Sequence, residues 1–448
     1  MSILPFLTPQ ATMRTLARLL ALSPAVLALV ACAATQQTSG PTAGPAVRTA
    51  AIAPNPAPGD DAKFAAFVRD FRATALAAGI RPEVYDRSMA GISLNTHIQD
   101  LNLRQPEFSQ AIWDYLDVAV SPKRVADGQA ALAANDAMLN KIEARYGVPK
   151  AVLVAIWGLE TNYGTLMGRY DMFEALATLG YDGPRQALGR RELLAALKME
   201  QAGPFQPEEM ISSWAGAFGQ TQFMPTTWLA HAVDGDGDGK KDLWHSPADA
   251  LASTAAMLAG DGWKSGQSWG CEVRLPANFP YAESGRDNPQ PLSHWRQLGV
   301  TTALGKPLPQ GPDDDSEGGS IFLPAGVRGP AFLLLHNFHV IMRYNAASSY
   351  ALGVGLLADR ISGLPGVVAS WPRDEEPLSR DDRLAFQRAL ASLGYDPGKI
   401  DGMIGPKVSD ALRAYQAAHG LLPDGFATHD LLMRLEREVA AKGSTKGG

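Results

Sequence analysis

Cysteine is almost absent from this chain, with two in 448 residues, at positions 32 and 271, and the eight histidines form no cluster. Neither a zinc site nor an iron–sulfur centre is therefore expected. A basic excess is also lacking: 40 Lys and Arg stand against 46 Asp and Glu, a net charge of −6, which argues against a nucleic-acid-binding face. Charged residues make up 19% of the chain and hydrophobic residues 46%, a balance that suits a soluble protein with a substantial core. The length exceeds one typical domain, so two or three folded units are expected.

The first 32 residues read as a targeting segment. Arg14 and Arg18 supply a positive region, and Leu19 to Ala31 an apolar stretch too short for a comfortable membrane span. Met13 is an alternative start. The stretch ends Leu29-Val30-Ala31-Cys32, which looks like a bacterial lipobox, so Cys32 is the expected lipidation site; ordinary cleavage near Ala31 to Ala33 is the alternative. Two lipid attachments at one residue would give stable anchoring. Ala33 after the cysteine, rather than Asp, implies sorting to the periplasmic face of the outer membrane in a Gram-negative-type envelope. Cys271 is then a lone thiol, expected to be buried rather than functional.

Residues 33–60 are mainly small residues, Pro and Gln, unable to bury a core, and are expected to form a flexible tether. Helical spacing starts near Asp61 with Phe64, Phe67, Val68 and Phe71, and helical patterns continue to about Leu258. Pro276 to Gly329, with an acidic run at Asp313 to Asp315, reads as loop with short strands such as Ile321 to Leu323. Helix is expected again from Phe332 to Arg360. A Pro- and Gly-bearing stretch at 363–377 reads as a linker to a unit at 378–440, followed by a tail at 441–448.

The sharpest chemical signal is Glu160. Pro149 should open a helix and Gly164 close it, and Leu153, Ile156, Trp157 and Glu160 fall on one face. A carboxyl at the end of an apolar stripe is desolvated, which raises its pKa toward the range of a general acid. The plainer reading is a buried Glu paired with Arg185, Arg190 or Arg191.

Three stretches favour the chemical reading. Gly158 to Gly164 (Gly-Leu-Glu-Thr-Asn-Tyr-Gly), Ser213 to Pro225 (Ser-Trp-Ala-Gly-Ala-Phe-Gly-Gln-Thr-Gln-Phe-Met-Pro) and Arg343-Tyr344-Asn345 followed by Tyr350 resemble, in order, the motifs of the membrane-bound lytic murein transglycosylase B family. The resemblance spans about residues 60–360. It implies a lysozyme-like fold in which Glu160 is the sole acid and base, Ser213 and Gln222 line a sugar cleft, and Tyr344 and Asn345 close it from the other side. Tyr115, in Trp113-Asp114-Tyr115, is a further implied substrate contact. Small residues at 215–217 and 219 would let a backbone turn pass close to the glycan. The family chemistry also accounts for the lack of a second acid in the motifs. An ordinary glycosidase needs two carboxylates. The resemblance implies instead that the muramyl C6 hydroxyl is the nucleophile and that a 1,6-anhydro ring results.

Asp234-Gly-Asp236-Gly-Asp238-Gly239-Lys240 matches the first half of a calcium loop, with carboxylates at positions 1, 3 and 5 and the Lys240 carbonyl at position 7. Position 12 is His245 instead of Glu. The resemblance makes Asp249 the closing acid, with Asp242 contributing through water, and calcium structural rather than chemical. No organic cofactor is implied. At the C-terminus, helical patterns separated by Asp401-Gly402 and Asp424-Gly425 turns resemble the three-helix peptidoglycan-binding domain of wall enzymes.

The expected protein is thus mainly α. It has a lysozyme-like catalytic core at 61–362 with helical flanking region, short strands and an EF-hand-like loop, and a small three-helix C-terminal domain. Its expected partners are peptidoglycan glycan strands and, through Cys32, the membrane, with no nucleic acid. Two rivals stand beside the transglycosylase: a hydrolytic muramidase using the same cleft, and a non-catalytic lipoprotein linking membrane to wall.

Overall fold

The computed structural model describes residues 60–103, 110–308 and 314–445, mostly as helix. Cys32, the leader, residues 33–59 of the expected tether and Asp313 lie outside the described residues, while Asp60, expected as the tether's last residue, opens a helix. Among those described, no helix is long and apolar enough to cross a membrane.

The helix Lys150–Thr161 runs through the middle of the main core. Every residue from Ala151 to Gly158 is buried, so the expected one-sided apolar stripe is in fact an all-round apolar cylinder that stops at Leu159 and Glu160. A helix apolar on every face belongs inside a domain, not at its surface. Its boundaries also differ from expectation. Pro149 occupies the N-cap rather than the first helical position, and the helix ends at Thr161, with Asn162, Tyr163 and Gly164 all left-handed. Around it pack Pro122–Ala134, Asp136–Tyr146, Pro247–Gly260 and Ser348–Ile361. A second core is built from the N-terminal helix Asp60–Ala77, through Phe64 and Phe71, with Met172–Tyr181 and Gln186–Ala202.

The loop-rich region holds more order than its composition suggests. Four strands pair antiparallel in the order Thr301–Thr302, Gly270–Arg274, Ala331–Leu334, Ser320–Phe322. Phe332 was expected to start a helix and instead lies in a strand. The reason is burial on both faces: Phe332 and Leu334 point into the main helical core, while Ala331 and Leu333 point into a smaller one around Trp295. An apolar run with no polar face carries no period to separate strand from helix. Cys271 lies on the neighbouring strand, a free thiol whose pKa burial pushes up to about 11.

The C-terminal helices Arg380–Leu393, Pro406–Ala418 and His429–Thr445 close over Phe386, Leu390, Leu412, Tyr415 and Leu435. Both Asp-Gly turns are held alike by a buried glutamine. Gln387 Oε1 accepts from the Asp401 and Gly402 amides, and Gln416 Oε1 accepts from the Gly425 amide while its Nε2 donates to Asp424. The other oxygen of Asp424 accepts from the Val327 amide, tying this unit to the rest of the chain.

The 363–377 stretch is irregular but closely held. The Val368 and Ala369 amides donate to Glu272, the Trp371 indole packs against Trp113 and Phe332, and Arg373 forms a two-bond ion pair with Asp117.

Candidate active site

Glu160 ends the buried cylinder and is itself only half-buried. Burial of its carboxyl raises the pKa from an ordinary 4.5 to about 8, against a smaller opposing pull from a hydrogen bond that Tyr350 donates to Oε1 at 2.6 Å. Arg185, Arg190 and Arg191 do not reach it. They bond to Asn102, to the Gly180 carbonyl and to Glu192 respectively, which removes the paired-glutamate reading. Among the described residues no second carboxylate perturbs Glu160.

Two aromatic rings accompany Tyr350. Tyr344 lies parallel to it, with centroids 6.3 Å apart and planes 2° from parallel, and its hydroxyl donates to the Thr221 carbonyl. Tyr115 sits against the same helix; a Cβ on Gly353 would meet its ring at 3.3 Å. Burial first, then the charge of Glu160, raises the pKa of all three phenols. They are therefore neutral O–H groups, able to donate, at any working pH.

The Gly158 to Gly164 motif shapes the end of the helix. A Cβ on Gly158 would lie 2.6 Å from the Tyr163 ring, and one on Gly164 would lie 2.2 Å from Gln220 Oε1. Tyr163 folds back over the helix, its ring edge-on to Trp157 and its hydroxyl donating to the Arg124 carbonyl. Gln220 then joins the first two motifs. Its Oε1 accepts from Trp157 Nε1, its Nε2 donates to the Trp244 carbonyl, and its own carbonyl accepts from Thr161 Oγ1. Sequence reasoning passed over Gln220, Thr161 and, as a contact of Glu160, Tyr350. Each stands inside a quoted motif, but nothing in spacing says that they meet.

The Ser213 to Pro225 stretch is a chain of tight turns. It leaves the two-stranded pairing of Ile211–Ser212 with Tyr170–Asp171. Ser213 Oγ accepts from the Ala217 amide, and Gln222, at φ +52°, donates through Nε2 to the Met167 and Gly219 carbonyls. Gly216 and Gly219 have positive φ and sit where a Cβ would strike Leu176 and the Leu243 carbonyl. Asn345 is buried, its Oδ1 accepting from the Ala347 amide. Tyr115, Tyr344 and Tyr350 are thus gathered near Glu160. Ser213, Gln222 and Asn345 are fixed by backbone contacts, and no hydrogen bond joins them to Glu160.

In the acidic loop, Asp234, Asp236 and Asp249 bring carboxylate oxygens within 4.8 Å of one another. Asp249 is buried and accepts from the Gly235 and Asp242 amides, and burial raises its pKa. Among the described residues none of the three takes part in an ion pair, and amide and hydroxyl donors rather than cations hold the converging carboxylates. Such carboxylates are the donor set of a hard cation. Asp238 is not in the group and accepts from the Lys240 amide instead, while His245 turns its ring to Asp242.

Comparison with known proteins finds relatives for both folded units. Residues 63–359 match the family described as "Transglycosylase SLT domain", and residues 379–435 match the "Putative peptidoglycan binding domain" family. The chain is 31% identical, over 266 residues, to membrane-bound lytic murein transglycosylase B of Escherichia coli K12, covering 58% of this chain and 70% of that one. It is similar to the crystal structure of SltB3 from Pseudomonas aeruginosa in complex with NAG-anhNAM-pentapeptide, with a TM-score of 0.80, 48% identity, and coverage of 83% of this chain and 99% of that one. It also resembles the Escherichia coli lytic transglycosylase Slt35 in complex with calcium, with a TM-score of 0.56, 26% identity, and coverage of 68% and 93%.

Proposed function

The chain belongs to the transglycosylase SLT family, and we propose that Glu160 is the single acid and base with which it cleaves peptidoglycan glycan strands. The enzyme is a lytic transglycosylase, a lyase acting on peptidoglycan. With a pKa near 8, Glu160 is protonated at neutral pH. Because Oε1 accepts from Tyr350, the transferable proton sits on Oε2. It passes to the glycosidic oxygen, the bond from that oxygen to the muramyl C1 breaks, and positive charge at C1 is met by the substrate's own N-acetyl group. The Glu160 carboxylate, now stabilised by Tyr350, takes the proton of the C6 hydroxyl, and that oxygen closes on C1. The nucleophile is held within the substrate, which favours it over water.

The observation that carries this reading is the solitude of Glu160: a protonated carboxyl with a tyrosine donor and no partner acid among the described residues. A hydrolytic muramidase would need a second group to position water. Ser213, Gln222, Asn345, Tyr344 and Tyr115 are the proposed sugar contacts. Asp234, Asp236 and Asp249, with the Lys240 carbonyl, are the proposed holders of a structural calcium ion, supported by the convergence of the three carboxylates and by the calcium in Slt35. The enzyme works in the cell envelope. Its attachment through lipidated Cys32 to the periplasmic face of the outer membrane is part of the proposal, resting on the lipobox pattern alone.

Mass spectrometry of peptidoglycan digested with residues 33–448, beside Glu160→Gln, tests the reading. Anhydromuramyl products from the unaltered chain alone are expected. Reducing muramyl ends would make it a hydrolase, and undiminished turnover by the variant would remove Glu160 from the mechanism.

A further inference from the structure

The helix that carries Tyr115, Ile112–Ala119, is too short to hold itself in place, and its N-cap residue, Ala111, makes no side-chain cap. It is held between two walls. On one side Tyr115 and Ala119 lie against Gly353 of the Ser348–Ile361 helix. On the other lies the 363–377 strap, where Trp371 sits 6.2 Å from Trp113 and 6.4 Å from Phe332, ring centre to ring centre. One turn further along, Arg373 reaches both oxygens of Asp117 at 2.8 and 2.9 Å. Trp113 and Asp117 are four residues apart and share a helix face, while Tyr115 projects from the opposite one. The strap is itself pinned at both ends, by Glu272 to the Val368 and Ala369 amides and by Arg328 to Asp374 and Glu375.

We propose that Trp371 and Arg373 are positioning residues for catalysis, clamping the Ile112–Ala119 helix so that Tyr115 stays beside Glu160. The inference rests on the proposed role of Tyr115 in the cleft. The strap is then a working part of the catalytic unit as well as the path to the C-terminal helices.

The test uses the full chain and a short soluble glycan of two disaccharide repeats, so that wall capture plays no part. Trp371→Ala is expected to lower kcat about tenfold, roughly 1.4 kcal/mol of barrier, with little change in KM; Trp371→Phe should restore most of it. In a Tyr115→Ala background the same Trp371→Ala change should alter kcat less than about twofold, since residues acting through one another are not additive. Arg373→Asp, at an exposed position that leaves folding intact, should lower kcat about threefold, and the swap with Asp117→Arg should restore it. Equal fractional losses with and without Tyr115, an effect on KM alone, or an unchanged kcat in folded variants would each overturn the proposal. So would full activity in Tyr115→Ala, which leaves the proposed role of Glu160 standing; an active Glu160→Gln would instead remove that role.

Discussion

The ring of Tyr163 occupies the space that a side chain on Gly158 would need: a Cβ there would lie 2.6 Å from the ring. Five residues apart in sequence, the two define how the central helix ends. Tyr163 is held at φ +59°, a conformation that side-chain-bearing residues rarely adopt, and it persists because ring and hydroxyl are both engaged.

Gly158→Ala should therefore displace Tyr163 and, with it, the turn beside Glu160. Overpacking of this kind costs about 1–3 kcal/mol. Calorimetry should show a drop of several degrees in Tm, and turnover should fall more than the stability loss alone explains. An unchanged Tm would mean that the ring has room elsewhere.

Tyr350→Phe removes the donor that favours the charged form of Glu160. The Glu160 pKa should rise above its value of about 8, and the alkaline limb of the kcat–pH profile should move up with it. The rate on the plateau should nevertheless fall at least about tenfold, because a hydrogen bond to a charged group is worth about 1.5–3 kcal/mol and the carboxylate is the form that the transition state creates. A limb that stays put or moves down would contradict this hydrogen bond's role.

Stability should also follow pH. A carboxyl raised from 4.5 to about 8 on folding contributes stability that is complete below pH 4.5 and lost as the pH rises through about 8. Glu160→Gln has no such proton to lose. The Tm of the variant minus that of the unaltered chain should grow across this window and level off above it. A difference independent of pH would show that the carboxyl titrates normally.

Calcium should raise the Tm and a chelator lower it. At free calcium about 100-fold above Kd, binding to the folded state alone adds about 2.7 kcal/mol. Asp249→Asn should abolish the calcium response, since it removes the buried acid of the three. Activity measured well below the melting range should change little if the ion is structural.

Much of the architecture was legible because helices announce themselves by period and turns by composition. The three C-terminal helices and the loop-bounded carboxylates were visible for that reason. Phe332 was misread as helical because a strand buried on both faces shows no alternation. The 363–377 stretch was expected as a linker from its prolines and glycines, yet Trp371 was the clue to its attachment: a tryptophan in a free linker would face water. In the site, Glu160 stood out by its apolar company. The bond from Tyr350, by contrast, is a tertiary fact, since neither residue's local pattern encodes the distance to the other. Asp238 shows the converse limit. A loop motif specifies which residues carry oxygen, but not which of them converge: Asp234, Asp236 and Asp238 all accept amides of their own turn, yet only the first two come together with Asp249.

Glu160 takes its hydrogen bond from a residue 190 positions later in the chain, and Gln220 seals the intervening turn against the same helix. Ribosomes make the carboxyl early and its tyrosine late, so no N-terminal portion shorter than about 350 residues contains the assembled site. Any shorter portion that reaches Glu160 carries its carboxyl without the tyrosine that hydrogen-bonds it in the folded protein.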